Sequence, residues 1–196
     1  MKNYIQIGSN VGDDYFQRMI ENINENVRVI LIEPNSDLLN MLIRNYKKLQ
    51  EKHEIVIIDS CISIDDKNFT NLYVYRSSGH SSLINRKSHP LKPNVRKVKS
   101  INFNKFCEIN LINEIEFLFI DTEGLDYEIL NSIDMSKIDI KIIIIEHWPF
   151  DNDDLNSIYR TGPNFLNSTI ISKFKNYNWE DIIIDGMKSY KLTKIE

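Results

Sequence analysis

The chain has little of what marks specialised architectures. Two cysteines, Cys61 and Cys107, are too few for a disulfide framework, and both sit in apolar segments. They are expected to be buried, reduced thiols of a cytoplasmic protein. No apolar run approaches the length of a membrane-spanning helix, and the longest aliphatic stretch, Ile142 to Ile145, has the length of a strand. The first residues lack the charged and apolar regions of a secretory signal, so export by that route is not expected. The net charge of −4 supplies no overall attraction to nucleic acid or to a membrane surface. No Gly-Lys-Ser/Thr phosphate loop occurs. The turn from Gly8 to Gly12 also lacks the third glycine of a dinucleotide fingerprint. No tightly spaced ligand set points to a metal. No repeat or linker divides the 196 residues, which suit a single domain over residues 1–196.

What is present is an alternation of strand and helix signals. Tyr4-Ile5-Gln6-Ile7 has strand periodicity and runs into the glycine turn. Phe16, Met19, Ile20 and Ile23 then recur at helical spacing behind Asp13 and Asp14, acids that favour a helix start. Val27 to Ile32 is almost unbroken apolar sequence, as in strands covered by helices on both faces, and Pro34 ends it. Ser36 is the expected N-cap of a helix carrying Leu38, Leu42 and Tyr46. Further strands are expected at Glu54 to Ile58, Leu72 to Tyr75, Glu116 to Ile120 and Lys141 to Glu146. Helices are expected at Asn104 to Leu111, Asp126 to Ser132 and Ser168 to Tyr177. Asp181 to Ile184 and Met187 to Leu192 flank Asp185-Gly186, a tight hairpin turn. This order predicts an α/β fold: a mostly parallel sheet with helices on both faces, closed by an antiparallel hairpin.

In such sheets ligands bind at the carboxyl ends of the strands. The first strand ends in Gly8-Ser9-Asn10-Val11-Gly12, where Gly8 permits a tight turn and Gly12 lets the next helix begin near a ligand. The second ends in Glu33-Pro34-Asn35, whose carboxylate can accept both hydroxyl hydrogens of a ribose. The third ends in Asp59-Ser60-Cys61, placed to meet an adenine edge. With no diphosphate cradle, an adenosine ligand lacking phosphates fits better than NAD or ATP.

These residues resemble the FkbM family of S-adenosylmethionine (SAM)-dependent methyltransferases. The resemblance is carried by Ile7-Gly8-Ser9-Asn10-Val11-Gly12, Glu33-Pro34-Asn35, Ser81-Ser82-Leu83, Ile120-Asp121-Thr122-Glu123-Gly124 and Glu146-His147, which follow the family's motifs in order over nearly the whole chain. It implies a Rossmann-like class I methyltransferase fold: a mostly parallel seven-stranded sheet with one antiparallel strand near its end. It also implies SAM as cofactor and transfer to an oxygen, commonly a hydroxyl of a sugar or natural product. One departure touches the site: Gln6 stands where the family carries an acid, and a neutral amide does not offset a sulfonium charge.

Removing a hydroxyl proton during methyl transfer requires a base. Asp121 and His147, at the expected carboxyl ends of the fourth and fifth strands, are the candidates. Histidine has the better pKa; aspartate would need a raised one or a metal. Glu123 could orient the acceptor or cap the helix from Asp126, and Glu146 could hold His147. Residues 86 to 99 carry six Lys or Arg and no acid. They suggest a solvated strand edge or a lid attracting an acidic acceptor such as a nucleotide-linked sugar. No lysine pair accompanies Asp121 and Glu146 as in RNA 2′-O methyltransferases, which argues against nucleic acid. An RNA or protein methyltransferase, and a SAM-binding scaffold without catalysis, are the alternatives to a small-molecule O-methyltransferase.

Overall fold

The computed structural model describes residues 1–75, 81–85, 91–146 and 168–195. Its elements in chain order are β1 (Asn3–Ile7), α1 (Tyr15–Glu21), β2 (Arg28–Ile32), α2 (Ser36–Tyr46), β3 (Glu54–Ile58), β4 (Cys61–Ser63), β5 (Phe69–Val74), β6 (Ser81–Ser82), β7 (Asn94–Asn102), α3 (Phe103–Ile109), β8 (Glu114–Ile120), α4 (Asp126–Ser132), β9 (Asp139–Glu146), α5 (Ser168–Lys173), β10 (Tyr177–Ile184) and β11 (Met187–Lys194). Seven strands form the main sheet in the order β3-β2-β1-β8-β9-β11-β10. Its pairs are parallel except those of β11, which runs antiparallel to both neighbours. The expected sheet, with one reversed strand near the chain's end, is therefore present.

The side-chain alternation of the central strands builds a core on each face. Ile5, Ile7, Leu118 and Ile120 face one way and pack with Phe103, Phe106, Leu130 and Phe174 of the α3, α4 and α5 side. Tyr4, Phe117 and Phe119 face the other way, against Phe16 and Ile20 of α1 and Leu42 and Tyr46 of α2. Asp185 and Gly186 take positive φ angles, +51° and +85°, as a two-residue hairpin turn requires. Asp185 also accepts from the Tyr15 amide at 3.1 Å and pairs with Arg18, tying the last hairpin to the first helix.

Three expectations are corrected. Asn35 caps α2, its side chain accepting from the Asp37 amide, and Ser36 is the first helical residue. The last helix stops at Lys173, because Tyr177 opens β10 and its hydroxyl bonds the Ile140 carbonyl. A second sheet, β4-β7-β5-β6, occupies the stretch that looks irregular in sequence. Its longest strand, β7, takes up residues 94–99 of the basic segment and pairs them with β5, while residues 86–90 of that segment lie outside the described residues. Among the described residues, no helix is long and apolar enough to cross a membrane. Cys61 and Cys107 are free and buried, and burial pushes their thiols up to about 11 and about 12, which keeps them protonated and inert.

Candidate active site

The glycine turn sits where β1 meets the loop after β8. The Ile7 carbonyl accepts from the Asp121 amide at 2.9 Å. Gly8 (φ +84°) is pressed so closely there that a Cβ would lie 1.8 Å from the Asp121 carbonyl oxygen. Only glycine fits, and the close approach places the glycine turn and the Asp121 loop in one cleft. Gly12 (φ +67°) acts elsewhere: a Cβ would strike Leu42 and Tyr46, so its absence lets α2 pack against the turn.

Glu33, 4% exposed, is the hub of the cleft's first half. One carboxylate oxygen accepts from the Asn10 amide at 2.8 Å and the other from the Asn35 amide at 2.7 Å. Burial raises this carboxyl to about 6 against the opposing pull of those amides, and the charge of Asp59 adds to the rise. Each oxygen keeps a lone pair for a further donor, as a ribose diol needs. Asn35 is held in turn by Arg96 of β7, whose guanidinium donates to Asn35 Oδ1 at 3.2 Å and to Asp37 at 2.6 Å.

The second half is the Asp121–Leu125 loop. Asp121 is half-buried at the end of β8. Its carboxyl is pushed well above the usual range, first by burial and then by the charges of Glu146, Asp126 and Glu123. Asp126, 1% exposed, lies beneath and accepts from the Thr122 amide (3.0 Å), the Thr122 hydroxyl (3.2 Å) and the Gly124 amide (3.1 Å). Burial, with the Glu146 charge, raises Asp126 to about 7. From above, the Ser82 hydroxyl donates to the Glu123 carbonyl at 2.9 Å. Glu123 itself adopts φ +59°, a left-handed conformation that non-glycine residues rarely take.

The resulting open cleft is lined by Gly8, Asn10, Glu33, Pro34, Cys61, Asp121 and Glu123, all singled out from sequence. It is also lined by Ile62, Leu72, Ser81, Ser82, Leu83 and Thr122. The apolar wall of Ile62 and Leu72 belongs to the second sheet, and its only sequence signal was the short apolar stretch at Leu72.

Other expected residues lie beside the cleft. Gln6 is wholly buried on the α1–α2 face, where strand alternation turns it away from Ile5 and Ile7. Its amide donates to Asp14, the N-cap of α1, at 2.6 Å. Ser9 is buried with its hydroxyl on the Gln6 carbonyl. Asn35 supports Glu33, while Asp59 is exposed and Ser60 is buried outside the lining. His147 lies outside the described residues. Among the described residues no group of three or more His, Cys, Asp or Glu could hold a metal ion.

This architecture places a cleft across β1, β2 and β8, and solved methyltransferases share the fold. A methyltransferase from Geobacter sulfurreducens aligns over 100% of this chain and 71% of its own, at 12% identity and a TM-score of 0.50. Fibrillarin from Aeropyrum pernix, solved with natively bound S-adenosyl-L-methionine, aligns over 98% of this chain and 66% of its own, at 9% identity and a TM-score of 0.53. At such identities the likeness is one of fold. No curated protein matches the sequence. The family model described as the methyltransferase FkbM domain matches residues 6–178, and the chain belongs to that family. It is a SAM-dependent methyltransferase. The cleft suits that cofactor: a buried carboxylate with free lone pairs stands beside a glycine turn pressed against the Asp121 loop.

Proposed function

We propose that the chain methylates a hydroxyl oxygen of a small molecule, a sugar or nucleotide-linked sugar, with Asp121 receiving the hydroxyl proton. Asp121 carries this reading, since it stands in the same cleft as Glu33 with its carboxyl held high by burial and by its acidic neighbours. A carboxylate whose proton affinity is raised above the ordinary range is a stronger base toward a hydroxyl proton. SAM, when bound, supplies a methyl carbon activated by a sulfonium sulfur. Glu33 would hold the ribose hydroxyls, Gly8 and Asn10 would give their backbone to the cofactor, and Cys61 with Ile62 and Leu72 would shelter the adenine. Asp121 and Glu123 set negative charge in the cleft wall, which favours a sulfonium over a neutral sulfide. Glu146, whose charge bears on Asp121, would raise its proton affinity, and His147, the next residue, is the second candidate base. The two free, buried thiols suit a reducing compartment, and the cytoplasm is the location we propose.

The test is incubation of the protein with SAM and a panel of neutral sugars, nucleotide-linked sugars, amino sugars and short RNAs, read by the mass gained per acceptor. The reading requires gain on a hydroxyl and its loss in Asp121→Asn. Gain on nitrogen or on RNA would replace it.

A further inference from the structure

The Asp121–Leu125 loop has no secondary structure to hold it, yet it contributes Asp121, Thr122 and Glu123 to the cleft lining. What shapes it comes from one buried side chain. Asp126 binds the Thr122 amide with one oxygen, and the Thr122 hydroxyl and Gly124 amide with the other. The Thr122 hydroxyl oxygen in turn accepts from the Leu125 amide at 3.2 Å. This set bends the chain so that Glu123 takes its left-handed conformation and Gly124 takes φ +122°. The Ser82 hydroxyl closes the loop from the opposite side through the Glu123 carbonyl. Asp126 does not line the cleft, so it acts on a ligand only through the loop.

We infer that Asp126 is a positioning residue of this methyltransferase: its carboxylate, clamping Thr122 and Gly124 from beneath, sets where Asp121 and Glu123 stand in the cleft wall. Rotating Asp126 to any neighbouring rotamer, or replacing one oxygen by an amide, breaks the clamp. An asparagine has one acceptor oxygen for amides that approach both oxygens, so one N–H of Thr122 or Gly124 must face its NH₂ group. A buried donor set against a donor is costly enough to move a loop that lies outside any helix or strand. The inference rests on the cleft being the cofactor site and is independent of which acceptor is methylated.

The experiment measures S-adenosylhomocysteine binding by calorimetry for the full chain and for Asp126→Asn, Thr122→Val and Thr122→Ser, with melting temperatures and amide exchange of Thr122 and Gly124 by NMR. Asp126→Asn is expected to bind about tenfold or more weakly, the loss typical of charge-assisted hydrogen bonds. Its Thr122 and Gly124 amides should exchange faster while the strand amides stay protected. Thr122→Val should lose severalfold in affinity, and Thr122→Ser, which keeps the hydroxyl, should bind as the unaltered chain does. If Asp126→Asn does not fold, the Thr122 pair decides: equal binding by Val and Ser overturns the inference. So does undiminished binding by a folded Asp126→Asn. Failure of the unaltered chain to bind S-adenosylhomocysteine would overturn the reading of the cleft, and this inference with it.

Discussion

The two halves of the cleft use carboxylates in opposite ways. At the Glu33 end a single buried carboxylate is met by two backbone amides, and the acid whose charge bears on it, Asp59, is exposed. At the Asp121 end four acids, Asp121, Glu123, Asp126 and Glu146, bear on one another. Amides that compensate a carboxylate make a fixed acceptor, suited to binding. Carboxylates that repel one another raise proton affinity, suited to proton transfer. In the proposed function, one fold thus derives a holding group and a reacting group from the same functional group by changing its neighbours.

Substitutions can test that division. The largest effect should come from the contact joining the halves. Gly8→Ala sets a Cβ against the Asp121 carbonyl, 1.8 Å away in the present geometry, in a conformation unfavourable to alanine. Binding of S-adenosylhomocysteine should become undetectable by calorimetry and the melting temperature should fall; binding within threefold of the unaltered chain would show that the halves need not touch. Next, Asp121→Asn should lower turnover by about 100-fold or more while leaving S-adenosylhomocysteine affinity within severalfold, and Glu33→Gln should weaken that affinity by about 10- to 100-fold. Equal loss of affinity in both would erase the distinction between holding and reacting ends.

The pH dependence sharpens the same point. Glu33 has its carboxyl raised from 4.5 to about 6 in the folded chain, so below pH 6 it is mostly protonated and must release a proton to accept two hydroxyls. Affinity should be flat above about pH 7 and fall by about tenfold per pH unit below 6, a limit set by one proton. Glu33→Gln should flatten that profile. The smallest effects belong to the second sheet. Arg96→Gln, which frees Asn35, should cost severalfold in affinity. Lys97→Gln, which removes only a cation lying 5.0 Å from the Phe69 ring centre, should leave affinity unchanged.

Much of this was legible in the chain because burial on both sheet faces forces continuous apolar strands. Arg28–Ile32, Glu54–Ile58 and Asp126–Ser132 lie where periodicity and turn residues put them. The second sheet was hidden because β7 spends its positions on Arg96, Lys97 and Lys99, so its charge was louder than its period of two. Gln6 shows the reverse: the motif suggested a cofactor contact, whereas its place between Ile5 and Ile7 already implied the opposite face. Glu33 and Asp121 were found by position at strand ends. Asp126 was seen only as a helix start, since three bonds from one carboxylate to a loop depend on backbone angles, Glu123 at φ +59° above all, that no residue type announces.

The bond from Asp185 back to the Tyr15 amide carries a consequence for the order of synthesis. The helix that follows the glycine turn emerges from the ribosome early, but its first turn gains this partner only when the last hairpin has been made. The central β1 likewise waits for β8 to fill its second edge, more than 100 residues later. A nascent chain halted before the hairpin would hold the residues of the cofactor cleft without the staple that fixes α1 behind it. Ligand binding should therefore be acquired late in translation, in one step with the closing of the sheet.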